Sequence, residues 1–195
     1  GYAVTTGVQN TLIGAFAGDA ITTADESVAI GYLALSANTT ADDNTAIGSH
    51  ALTANTTGRI NTAVGKGSMA ANTTGQDNAA FGGLTLDANT TGTGNTALGY
   101  ASLSSNTTAD NNTAVGYLAG TAVTTGTLNT LIGALAGDAI TTAESNTAVG
   151  YQALTDTTTG GDNTAVGELA LANNTTGFRN VALGSSALFT KTTGN

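Results

Sequence analysis

The chain has 195 residues, with 4 Lys plus Arg against 13 Asp plus Glu, a net charge of -9, 27 Gly, and no Pro, Cys or Trp. An acidic chain repels phosphate backbones, which argues against a nucleic-acid partner. The absence of Cys removes disulfides and thiolate metal sites, and no apolar run approaches the roughly 20 residues that span a bilayer, so membrane insertion is not expected.

Scarce aromatics would suit a disordered chain. Yet 40% of the residues are apolar, and they recur at a fixed interval. Asn10 opens a segment whose first position returns at Ser27, Asn44, Asn61, Asn78, Asn95, Asn112, Asn129, Asn146, Asn163 and Asn180, always 17 residues on. The consensus is N-T-A-(V/I/L)-G-x-x-A-L-x-x-N-T-T-(G/A)-x-x. Position one is the Asn that opens the unit, and coil one begins at Asn10.

Each unit opens on a short β-branched and apolar segment at positions two to five, which predicts a strand. A turn, a second strand near positions seven to ten and an Asn-Thr-Thr-Gly turn complete the coil. Helices are excluded because every apolar run is broken by Gly, each costing about 1 kcal/mol against Ala. Seventeen residues are also too few for helical repeats. The expected fold class is all-β: a parallel β-solenoid (β-roll or β-helix) of about eleven 17-residue coils, one repeat domain over residues 1–195. At the usual strand spacing the rod would be roughly 55 Å long.

Position four is apolar throughout: Ile13, Ile30, Ile47, Val64, Phe81, Leu98, Val115, Ile132, Val149, Val166 and Leu183. These residues are expected to form the structural core. Position nine is usually Leu or Met but is Gly at Gly18, Gly120 and Gly137, where position twelve changes to Ile21, Val123 or Ile140. Apolar volume moves instead of vanishing, which places both positions in one filled interior. The opposite strand face carries small Ala and Gly, and a solvated face would alternate to polar residues. Another copy of the chain is therefore expected against it, as an intertwined or side-by-side homotrimer.

Gly1–Ala24 matches Gly120–Ala143 at 20 of 24 positions, an offset of seven coils. With a start at Gly1 and no distinct capping element, the chain reads as a fragment of a longer fibre, or as one whose ends are covered by end-to-end self-assembly.

Ser27-Val28-Ala29-Ile30-Gly31 and Asn44-Thr45-Ala46-Ile47-Gly48 resemble the repeat of trimeric autotransporter adhesin heads. Asn112–Gly120 and Asn146–Leu154 are similar to repeats of phage tail fibres and bacterial surface proteins. The resemblance implies a parallel β-roll that trimerises and attaches to a host surface, hence an extracellular, cell-surface or virion location. The unit here is longer than the family's, and no family binding residue transfers.

Catalysis lacks an inventory. The one His, His50, stands at a variable position, and no G-x-S-x-G or P-loop pattern occurs, so no enzyme is expected and no cofactor. Calcium is one candidate ligand for the turn carboxylates Asp42, Asp43, Asp77, Asp110 and Asp162. Tyr32, Tyr100, Tyr117 and Tyr151 share position six and are candidate contacts for a cell-surface glycan or protein receptor. The stacked Thr-Thr pairs at positions thirteen and fourteen either bond the turn backbone or present an ice-binding array. Six Asn-Thr-Thr tripeptides match the glycosylation acceptor but read as turn composition.

Overall fold

The computed structural model describes residues 3–194; Gly1, Tyr2 and Asn195, which extend the repeat at both ends, lie outside the described residues. Each unit forms one coil, and each coil supplies one three-residue strand. The strands run from β1 (Thr11–Ile13) through β2 (Val28–Ile30) and β3 (Thr45–Ile47) to β11 (Val181–Leu183), pairing in chain order as one eleven-stranded parallel sheet. Equivalent positions lie side by side: Ile30 pairs with Ile47, and Ile47 with Val64. The fold is therefore an all-β parallel solenoid with a 17-residue rise. No helix of the described residues is long and apolar enough to cross a membrane.

The second strand expected near positions seven to ten is absent among the described residues. Its backbone is left-handed instead, with φ of 57° at Leu33, 54° at Leu35, 50° at Leu52 and 52° at Met69. Position seventeen behaves alike, with φ of 60° at Asp43 and 57° at Ile60. Such a conformation costs an L-residue roughly 1–2 kcal/mol. A hydrogen-bond ladder that follows the whole perimeter offsets this. In coil four, the N–H groups of Thr62, Met69, Ala71 and Thr73 donate forward to Asn78, Thr85, Asp87 and Thr90 at 2.9, 2.9, 3.0 and 2.9 Å. Those of Gly65, Gly67 and Asp77 donate back to Ile47, Ser49 and Arg59 at 2.8, 2.9 and 3.2 Å. Turn backbone is thus satisfied between coils much as strand backbone is.

The left-handed residue at position nine also breaks strand alternation, so adjacent side chains turn inward together. Ala51 and Leu52 are both fully buried, as are Ala153 and Leu154. Position twelve points to the same interior. Ile21, Val123 and Ile140 are fully buried in the coils where position nine is Gly. The expected exchange of volume between positions nine and twelve is seen at contact distance. A Cβ on Gly137 would lie 2.8 Å from Cδ1 of Ile140, and also 2.8 Å from Cδ2 of Leu131.

The expected core at position four is corrected by this geometry. Ile13, Ile30, Ile47, Val64, Phe81, Leu98, Val115, Ile132, Val149, Val166 and Leu183 do stack in one file, but none of them is buried within the chain. Ile13 is 57% exposed and Phe81 42%. The inward column is position three, where Ala29, Ala46 and Ala63 are fully buried. A three-residue strand turns only its middle side chain inward. Leu at position nine already fills the space beneath, so Ala is what fits there.

The interior also holds two files of buried Asn. At position one, Asn61 Nδ2 donates to Asn44 Oδ1 at 3.2 Å and to the Gly75 carbonyl at 2.9 Å. At position twelve, Asn72 Nδ2 donates to Asn55 Oδ1 at 2.9 Å and to the same Gly75 carbonyl at 3.1 Å. Both of these amides bond on their own coil and on the one before it. Such bonds offset the cost of taking a polar group out of water.

Candidate interaction face

The pleat that turns position three inward turns positions two and four outward. The outer face of the sheet therefore carries two parallel files. One is mostly Thr, as at Thr45, Thr62 and Thr96. The other is the apolar file from Ile13 to Leu183. Neighbours along a file are about 4.8 Å apart, and the files themselves about 6.7 Å apart. No Asp, Glu, Lys or Arg occupies either file in any coil. The charges stand at positions six, ten, eleven, twelve, sixteen and seventeen.

Aromatic residues flank the apolar file. Tyr32, Tyr100, Tyr117 and Tyr151 are each about half exposed. Tyr100 and Tyr117 stack with centroids 5.9 Å apart and planes 16° apart. Tyr32 meets Phe16 edge-on at 6.1 Å and His50 at 5.4 Å. Such pairs add about 0.5–1.5 kcal/mol beyond area burial. Phe16 stands at position seven and was not singled out in the sequence, because that column drifts freely. His50 Nδ1 lies 2.9 Å from Ser49 Oγ.

The turn carboxylates act on backbone. Asp42 Oδ1 accepts the Asp25 N–H at 3.0 Å, and Asp110 Oδ1 accepts the Thr93 N–H at 2.7 Å. Arg59 reaches Asp42 at 2.8 Å and Asp43 at 3.8 Å, an exposed pairing of the kind that contributes little to stability. Asp77 and Asp162 lie in the position-seventeen column, and Arg179 approaches Asp162 at 3.8 Å. Among the described residues, no three His, Asp or Glu gather as a metal-ligating group.

The Thr-Thr pairs divide their roles. The first hydroxyl donates to the turn carbonyl of the next coil, as from Thr22 to Thr39 at 3.0 Å and from Thr73 to Thr90 at 2.9 Å. The second, as at Thr23 and Thr74, is exposed. The Asn of the Asn-Thr-Thr tripeptides (Asn38, Asn55, Asn72, Asn89, Asn106 and Asn174) is fully buried, out of reach of any modifying enzyme in the folded chain.

Asp87 is the one carboxylate set apart by its surroundings. Burial pushes its pKa upward, only partly opposed by a backbone hydrogen bond, and its Oδ1 has no partner. A raised folded-state value means that the protonated form suits the fold. Stability is therefore lost as pH rises from 3.8 through that value. Asp87→Asn should raise the melting temperature at pH 7 and leave it unchanged at pH 3, as read by circular dichroism at the two pH values.

Geometry defines the class of protein as a parallel β-solenoid with an uncharged, partly apolar sheet face. Comparison with protein-family models, with curated proteins and with solved structures finds no match to the chain.

Proposed function

We propose that the chain is a structural and adhesive fibre segment, a homotrimeric β-solenoid of a phage tail fibre or bacterial surface adhesin that attaches to a host or surface. The observation that carries this is the uncharged apolar file running unbroken along eleven coils. A stripe of this kind on a soluble chain marks an association surface, and burying it against second and third copies would supply apolar contact that each thin coil lacks. The exposed tyrosines then lie beside the interface, where a glycan or protein receptor can reach them. Repeated columns make that contact multivalent. The reading assigns the chain no reaction, and its location would be extracellular, on a cell surface or virion.

Light scattering on the chain at micromolar concentration should give about three times the monomer mass of 18.9 kDa. Ile47→Lys combined with Val115→Lys should reduce it to the monomer mass with the circular dichroism spectrum unchanged. Both side chains face outward, so the coils tolerate the change, whereas two rings of like charge oppose association. A wild-type monomer under these conditions overturns the trimer. Endless filaments in negative stain would favour coils that continue end to end between subunits. An ice-binding reading has one observation behind it, the exposed file of second threonines, and thermal hysteresis above the buffer value would move the assignment there.

A further inference from the structure

The position-twelve ladder runs unbroken from Asn38 to Asn106 and then stops. In coil seven its place is taken by Val123, which has no donor, and Asn106 Oδ1 is left buried without a hydrogen bond. The position-one ladder loses a bond at the same step. Asn95 Oδ1 accepts the Asn112 backbone N–H at 2.9 Å, but not the side-chain amide that bonds at neighbouring steps such as Asn95 to Asn78 and Asn129 to Asn112. Two separate interior files thus weaken between the same pair of coils. Outside them, the Tyr100–Tyr117 stack and the Ser104–Thr121 hydroxyl pair at 3.0 Å also bridge this step. Both lie at the half-exposed perimeter, where they contribute less than a buried hydrogen bond. Asn174 Oδ1 is also unpaired, but it stands one coil from the last described residues, where opening merges with fraying of the rod end.

We propose that the junction between coils six and seven is the yield plane of the rod, at which it separates into two cooperative blocks. A solenoid is held by nearest-neighbour interfaces, so its cooperativity breaks at the weakest one. A buried carbonyl with no partner weakens an interface without removing any apolar contact. In a fibre under load, coils on one side of the plane would open together while those on the other stay wound.

Hydrogen exchange followed by mass spectrometry, on the whole chain at rising denaturant, tests this. Amides of coils two to six should merge into one exchange isotherm and those of coils seven to ten into another, differing about tenfold in rate. The boundary should fall between Asn106 and Val123. Val123→Asn supplies the missing donor and places its own Oδ1 beneath Ile140, so the boundary should move one coil toward the C-terminus. A single isotherm across coils two to ten overturns the proposal, and so does a boundary that stays in place in the variant. Should the variant not fold, the wild-type profile decides alone. The observations behind the plane lie inside each chain and do not rest on the proposed trimer.

Discussion

Gly116→Ala should lower the melting temperature by about 8–16 °C. Position five is Gly in every coil, and Gly116 shows why. Its φ is +142°, in a region that side chains rarely enter, and a Cβ there would lie 2.5 Å from the Gly133 carbonyl oxygen of the next coil. Backbone strain of this kind costs about 1–3 kcal/mol, and forcing the coils apart at a close-packed contact costs a similar amount. Together they approach about 4 kcal/mol, which in a chain of this length shifts melting by about 8–16 °C. Gly83→Ala is the control. Gly83 lies outside the positive-φ region, and its added Cβ would meet Tyr100 Cδ2 at an ordinary 3.6 Å. It should melt within about 2 °C of the wild type. Equal losses at the two positions would show that the columns differ in composition alone, and not in the space available between coils.

The second large effect is a coupling. Leu131 replaces the usual Ala at position three, is fully buried, and occupies the space left by two glycines. A Cβ on Gly120 would lie 2.6 Å from its Cδ1, and one on Gly137 2.8 Å from its Cδ2. Leu131→Ala should therefore cost about 3–5 kcal/mol, as a deletion that leaves a cavity. Gly137→Leu alone should also destabilise, since it drives a side chain into Leu131 and Ile140. The double variant should recover about 2 kcal/mol of the summed loss, because each change makes room for the other. Denaturant melts of the four proteins give the coupling directly. Strict additivity would mean that positions three and nine do not share a cavity.

That coupling also shows where the sequence was legible and where it was not. The exchange between position nine and position twelve stands out in the chain, because Gly18, Gly120 and Gly137 coincide with Ile21, Val123 and Ile140. The third partner was missed, although Leu12 and Leu131 were visible against a column of Ala. With position three expected on the outer face, a large side chain there carries no meaning. The error began at position four. Its invariable Val, Ile, Leu or Phe reads as a core column by the ordinary rule that large apolar residues are inside. That rule runs in one direction only, since folded surfaces also carry much apolar area. Phe81 is the informative exception. A ring of that size among Val and Ile suits an open face better than a narrow interior.

The Asn of position twelve reads as part of an Asn-Thr-Thr-Gly turn, and it does sit at a turn. What the spacing of the Asn columns could not show is that Asn44 and Asn61, or Asn55 and Asn72, bond to one another across coils inside the protein. Nor could local preference announce the left-handed residues at positions seven and nine, since Leu and Met are poor choices for that region. Tyr32, Tyr100, Tyr117 and Tyr151 lie at the surface as expected, but the partners of Tyr32, Phe16 and His50, come from the neighbouring column.

The sequence alone determined the 17-residue period, the parallel stacking of equivalent residues, the all-β class and the shared interior of positions nine and twelve. These are properties of order along one dimension, and an undisturbed repeat transmits them whatever the shape of the coil. Only the tertiary structure decided which face of the strand is inside, that one strand and not two forms in each turn, and that the polar columns close into ladders. Those outcomes depend on left-handed backbone at positions seven, nine and seventeen. It is unfavourable in an isolated coil and becomes stable when hydrogen bonds from the coils above and below hold it in place.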